Sequence, residues 1–208
     1  MWQKQVPNVL TVSRIIFSFL FVVFFLQQDV TAKVIAAVFF LFASITDFFD
    51  GYYARKYQLI SNFGKIMDPI ADKCLMLSAF WVFCLNQLVQ PWMFVVIFIR
   101  EVSVTLFRLV AIKKGVYQAA EKSGKVKTVA QIVVVYVMLF FVLYHVFSGH
   151  YRPGWQPEGR GLQFIHLLMY VAVGLTVYSG GEYVWLNIIK PIQSGGWIES
   201  LFCVSKKK

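Results

Sequence analysis

Apolar runs of roughly 18 to 25 residues recur along this chain, and each is long enough to cross about 30 Å of hydrocarbon as a helix. Composition agrees with that constraint. Hydrophobic residues make up 59% of 208, with 21 Phe among them. Charged residues reach only 14%, where a soluble domain carries about 25%. The chain reads as an all-α integral membrane protein with six transmembrane helices, forming one domain over 1–208. The spans fall at 9–27, 32–57, 66–88, 91–113, 126–148 and 162–189.

Breakers separate them: Gln27-Gln28-Asp29, Ser61-Asn62, Asn86-Gln87 with Pro91, Gly115 with the 121–125 run, and a Gly/Pro-rich stretch from Ser148 to Gly161. There is no internal repeat and no soluble second domain. The N-terminal segment enters its apolar run without a small-residue cleavage site, so a retained first span is expected rather than a signal peptide. The three cysteines, Cys74, Cys84 and Cys203, lack metal-ligand spacing, and the first two are expected inside one helix as small apolar residues.

The net charge is +10, carried in short segments between apolar runs. With no soluble module to present a basic face, anionic lipid headgroups are the expected partner and nucleic acid is not. Lys4, Arg55, Lys56, Lys65, Lys113, Lys114, Lys122, Lys125, Lys127 and the Lys206-Lys207-Lys208 tail fall on one side of the span model. Lys33, Arg152 and Arg160 fall on the other. That asymmetry places both termini in the cytoplasm. For a bacterial chain the membrane is the inner one.

Four of the ten acidic residues crowd into DFFDGYYARKYQLISNFGKIMDPIAD, positions 47–72. A helix over 32–57 would be about 39 Å long, so its last turns project into the cytoplasmic headgroup region. The site is therefore interfacial and cytoplasmic, open to water-soluble and lipid substrates alike. Carboxylates at a bilayer are costly unless paired, hydrated or metal-bound, and they mark function by default. Asp47, Asp50/Gly51 and Ala54 share one helical face, and Gly64, Asp68 and Asp72 share another. Two such faces form an all-oxygen cage suited to a hard divalent ion, Mg²⁺, Mn²⁺ or Ca²⁺. Gly51 and Ala54 leave room for close approach to the backbone, and Arg55 offers a fork donor for phosphate. Interfacial aspartates can also simply cap and solvate helix ends, but four on two converging faces with an arginine at a set offset describe a metal–pyrophosphate site. Pro69 cannot donate to residue 65, so the helix either begins near it or kinks, and a first-turn proline is the cheaper solution.

The spacing Asp47-x2-Asp50-Gly51-x2-Ala54-Arg55-x8-Gly64-x3-Asp68-x3-Asp72 resembles, at all eight fixed positions, the CDP-alcohol phosphotransferase signature. Further similarity runs toward the bacterial phosphatidylglycerophosphate synthases of that family. It is carried by Pro7-Asn8-x-Leu10-Thr11-x2-Arg14, Met67-Asp68-Pro69-x-Ala71-Asp72-Lys73, Arg100-Glu101, Gly124-Lys125-x-Lys127-Thr128 and Thr176-Val177-Tyr178-Ser179-Gly180. The resemblance implies two divalent ions, Mg²⁺ or Mn²⁺, with Asp47 and Asp68 bridging them, Asp50 completing one site and Asp72 ligating the second. Asp72 would also take the proton from the attacking hydroxyl. Gly51, Arg55 and Ser61 would contact the CDP moiety of CDP-diacylglycerol, and a homodimer is implied.

A phosphorylated acceptor needs cations of its own. Arg108 and Lys125 are the first candidates, followed by Arg100 and Lys127; Arg100 with Glu101 can equally form a structural ion pair. The implied reaction moves a phosphatidyl group from CDP-diacylglycerol to sn-glycerol 3-phosphate. Inositol phosphate, serine or phosphatidylglycerol are alternative acceptors within the family. A small ion-coupled transporter is the rival from another class, but it would show repeat symmetry or acids deep in several spans. His145, His150 and His166 read as interfacial, the tryptophans as an aromatic belt. Glu182 has no assigned partner.

Overall fold

The computed structural model describes residues 6–57, 62–113, 122–151 and 157–186. Among them the regular elements are six α-helices joined by turns: α1 Val6–Leu26, α2 Val30–Tyr57, α3 Asn62–Leu85, α4 Pro91–Lys113, α5 Lys122–Phe147 and α6 Arg160–Val184. Each helix coincides with one expected apolar segment. Among the described residues two helical stretches are long and apolar enough to cross a membrane, Val126–Phe147 and Arg160–Val184. Thr11–Leu26, Val30–Thr46 and Lys73–Leu85 are shorter apolar helical stretches.

The breaks have local causes. Asp29 precedes α2 and its carboxylate accepts from the Ala32 N–H at 3.3 Å, satisfying one of the donors that a helix start leaves open. Gln87 adopts φ 59° in the turn after α3. Pro91 then opens α4, where a missing N–H costs nothing. Before α6 the chain passes through Gly159 at φ 83°, a conformation that favours glycine.

Pro69 behaves differently from the expectation. The third helix begins at Asn62, so proline sits at its eighth position and not in its first turn. An interior proline costs about 3 kcal/mol. Burial of Ala71, Leu75, Ala79, Phe80, Val82 and Phe83 along the rest of α3 offsets that.

The first two helices make the most extensive contact, and α1 also packs on α3. Small residues permit this approach: Ala32, Ala36, Ala37 and Ala43 are all buried on α2. Phe21, Phe25, Phe40, Phe80 and Phe83 fill the core between them. The fifth and sixth helices pack on each other, α6 covers α4, and α3 touches both α4 and α5. Large apolar side chains such as Phe19, Phe140, Phe147 and Tyr178 point outward, the surface expected of a protein solvated by lipid.

Two lysines counted in the charge asymmetry turn out to be interior. Lys33, at the fourth position of α2, is 1% exposed. Its ammonium donates to the Phe25 carbonyl and lies 4.3 Å from the Phe25 ring and 5.5 Å from the Tyr151 ring. That carbonyl is in the last turn of α1, where no intrahelical partner exists, so the lysine serves as a cap for a neighbouring helix. Burial pushes the Tyr151 phenol up, so the ring beneath the ammonium stays neutral. Lys127 is the second, and its partner lies in the candidate site. Cys74 and Cys84 both lie on α3 as expected, while Cys203 lies outside the described residues.

Replacing Ala36 by leucine should overpack the α1–α2 contact and cost about 1–3 kcal/mol. Phe140→Leu, at a 72% exposed position, should change stability by less than about 0.5 kcal/mol. Thermal unfolding in detergent separates the two, and equal shifts would contradict the packing described.

Candidate functional site

Asp47, Asp50, Gly51 and Arg55 occupy the last eleven residues of α2, and Asp68 and Asp72 lie in the first half of α3. Backbone helicity is continuous through both sets, so the helical spacing on which the shared faces depend is present. Tyr57 and Asn62 are five residues apart, which limits the gap between the two helix ends to about 18 Å. The carboxylate-bearing segments thus follow one another along the chain, and α2 contacts α3. The side chains at these six positions, and at Arg108 on α4 and Lys125 on α5, lie outside the described residues, as does Ser61 entirely. Among the described residues no group of three or more His, Cys, Asp or Glu could hold a metal ion. The four aspartates of the sequence motif, all hard oxygen donors of the type that suits Mg²⁺ or Mn²⁺, remain the candidate donor set.

Directly after Asp72 comes a side chain the structure does describe. Lys73 is the twelfth of 24 residues in α3, and its ammonium meets Glu101 Oε2 at 2.7 Å. Glu101 is the eleventh of 23 residues in α4, beside Arg100 in a largely apolar helix, and is 2% exposed. Its other oxygen, Oε1, accepts from Lys127 on α5 and lies 3.3 Å from Arg100 Nη1. Gln131 Nε2, one turn along α5, approaches the same oxygen at 3.4 Å and donates to Thr176 Oγ1 at 3.0 Å. The Thr176 hydroxyl donates in turn to the Ala172 carbonyl at 2.6 Å. Arg100 Nη2 completes the circuit, donating to Ser179 Oγ on α6 at 2.7 Å.

One carboxylate thus stands within ion-pair reach of three cations, and the network touches α3, α4, α5 and α6. The cations differ in access. Lys127 is buried as deeply as Glu101, Arg100 keeps 13% of its side chain exposed, and Lys73 keeps 30%. Gly180 sits beside Arg100, where an added Cβ would lie 3.2 Å from Arg100 Cγ. Its lack of a side chain lets the arginine stem lie flat against α6.

Of the four cations considered for an acceptor phosphate, Arg100 and Lys127 therefore converge on Glu101. The sequence had paired Arg100 only with its neighbour Glu101, and gave Lys73, Gln131, Thr176 and Ser179 no role. A signal for the hub was present: a glutamate midway along an apolar helix must face the bundle interior and find a partner. What it would pair with was not visible. On the opposite side, His145 packs edge-on against Phe141 with ring centroids 4.6 Å apart, and the His150 ring bonds Ser148 at 2.9 Å.

The family model for CDP-alcohol phosphatidyltransferase matches residues 4–178. A Bacillus subtilis protein named CDP-diacylglycerol–glycerol-3-phosphate 3-phosphatidyltransferase is 37% identical over 195 residues, covering 88% of this chain and 95% of its own. Relatives of the same name from Rickettsia felis, 30% identical over 86% of this chain and 93% of theirs, and Yersinia pestis, 28% identical over 91% and 100%, are also similar.

Breaking the buried pair should be expensive. Lys127→Met should destabilise the protein by about 3 kcal/mol, because it removes the deepest partner of a buried carboxylate. Lys73→Met should cost about 1 kcal/mol or less, since that ammonium is partly solvated. Chemical denaturation in mixed micelles measures both, and the reverse order would be inconsistent with the burial seen. The family match over most of the chain, the signature within adjoining helices and the full-length relatives together place this chain in the CDP-alcohol phosphatidyltransferase family.

Proposed function

We propose that this chain transfers the phosphatidyl group of CDP-diacylglycerol to sn-glycerol 3-phosphate, giving phosphatidylglycerol phosphate and CMP. The observation that carries the reading is similarity along nearly the whole chain to relatives named for that reaction, with the eight-position signature intact across α2 and α3. The acceptor hydroxyl attacks the lipid-side phosphorus, the bond to the bridging pyrophosphate oxygen breaks, and CMP leaves. Asp72 receives the hydroxyl proton, since an alcohol is a poor nucleophile at neutral pH without a base in reach. Asp47, Asp50, Asp68 and Asp72 would hold two divalent ions. When bound, these supply Lewis-acid neutralisation of the pyrophosphate charge. Gly51 leaves the space the nucleotide enters, and Arg55 and Ser61 hold its phosphates. Arg108 and Lys125 receive the acceptor phosphate, with Arg100 and Lys127 behind them.

Six membrane crossings, a bacterial inner-membrane location, cytoplasmic termini, a homodimer and attraction of the lysine tail to anionic lipid belong to the same proposal. Support comes from the Lys/Arg asymmetry of the sequence and from the bacterial source of the relatives.

CMP release from CDP-diacylglycerol, assayed with a panel of acceptors, tests the reaction directly. Turnover should require glycerol 3-phosphate and added Mg²⁺ or Mn²⁺. Full activity in excess chelator, with bound metal excluded by elemental analysis, would defeat the two-ion reading. Asp47→Asn, Asp68→Asn and Asp72→Asn should each slow the reaction by at least about 10²-fold. Arg108→Ala and Lys125→Ala should raise the KM for glycerol 3-phosphate, each losing about 1.5–3 kcal/mol of charge-assisted bonding, with little change for the lipid donor. Preference for inositol phosphate, serine or phosphatidylglycerol in the panel would replace the proposed acceptor.

A further inference from the structure

The structure assigns Glu101 a role that the family signature does not contain: it is a positioning residue that sets the base-bearing helix α3 against the acceptor-side helices α4 and α5. The inference rests on the proposed reaction in one respect, the assignment of Asp72 as base. Its physical grounds are separate. Lys73 and Asp72 are consecutive on one helix, so any restraint on the Lys73 stem also restrains the backbone turn that presents Asp72. That restraint is the 2.7 Å ion pair to Glu101.

Glu101 itself has little freedom. It is 2% exposed, and its second oxygen is already engaged by buried Lys127, by Arg100 at 3.3 Å and by Gln131 at 3.4 Å. Arg100 and Gln131 are held in turn by Ser179 and Thr176 on α6. The carboxylate therefore behaves as a fixed post to which the α3 lysine is tied. The proposed acceptor cations Arg108 and Lys125 stand on the helices that supply Glu101 and Lys127, two turns from one and half a turn from the other. The Lys73–Glu101 pair is thus a direct polar tie between the helix that would activate the hydroxyl and the helices that would hold its phosphate. Such alignment governs the rate of attack far more than substrate affinity, and displacement by about 1 Å can cost on the order of 10²-fold.

Steady-state kinetics on the purified full-length enzyme decide it, with thermal unfolding measured on the same samples. Lys73→Met should lower kcat about 10-fold or more while the KM for CDP-diacylglycerol stays within about twofold and Tm barely moves. Lys73→Arg, which can still reach Glu101, should recover most of the rate. Glu101→Gln should lower kcat similarly, and combining it with Lys73→Met should add little further loss, because both remove the same tie. If Glu101→Gln does not fold, the Lys73 pair of variants carries the test alone. Unchanged kcat in folded Lys73→Met would overturn the inference, as would a rise in KM without a fall in kcat, which would make Lys73 a substrate-binding group. The rates are read with whichever acceptor supports CMP release. Activity with an acceptor other than glycerol 3-phosphate would then count against the proposed reaction and leave the positioning role to be judged on its own kinetics.

Discussion

The Glu101 carboxylate is the interaction on which the arrangement of four helices depends. Taking a charge out of water costs several kcal/mol per ion, and only close, multiple pairing recovers it. Glu101 meets that condition by sharing its two oxygens among Lys73, Lys127 and Arg100, with Gln131 as a further donor. Low local dielectric makes each contact stronger and each missing contact more damaging. The helices that supply the partners cannot slide independently without stranding a buried charge. Small residues let the backbones approach elsewhere, but van der Waals packing among apolar faces is tolerant of slippage. A shared carboxylate is not.

At the other end of the bundle the same logic is applied once, more simply. Lys33 is buried without a carboxylate and instead satisfies the carbonyl of Phe25, at the end of α1, beneath two aromatic rings. That contact locks the α1–α2 turn beside an aromatic core of Phe21, Phe25, Phe40, Phe80 and Phe83. The aspartate-bearing segments fall elsewhere, in the C-terminal part of α2 and the first half of α3, and the polar network joins the middle of α3 and α4 to α5 and α6. The bundle thus has one end built for closure and another in which charges are concentrated and cross-connected. Catalysis at a membrane surface benefits from that division, because the charged end needs a rigid apolar support that does not itself admit water.

Helix number and extent were legible in the sequence because apolar runs of spanning length alternate with strong breakers, and Asp29, Gln87, Pro91 and Gly159 sit at the breaks for identifiable local reasons. The starting point of α3 was not. Pro69 disfavours an upstream helix by local propensity, yet α3 extends seven residues before it, since burial along the rest of the helix outweighs one lost hydrogen bond. Lys33 was counted with the charges of one membrane side, and Lys127 with those of the other and among the acceptor-phosphate candidates. Position along a helix says nothing about azimuth, and a lysine within two turns of an end can point inward as readily as outward.

The sequence by itself determined the family, the class of chemistry and the residues that define the signature. Those follow from residue type at fixed separations along two helices, and helical periodicity converts separation into a shared face without reference to the rest of the molecule. Only the tertiary structure decided which charges meet. Lys73, Glu101 and Lys127 are separated by 28 and 26 positions in the chain and lie on three different helices. Their convergence depends on the rotation of each helix about its axis, and that rotation is set by the packing of all the others, which no local pattern encodes.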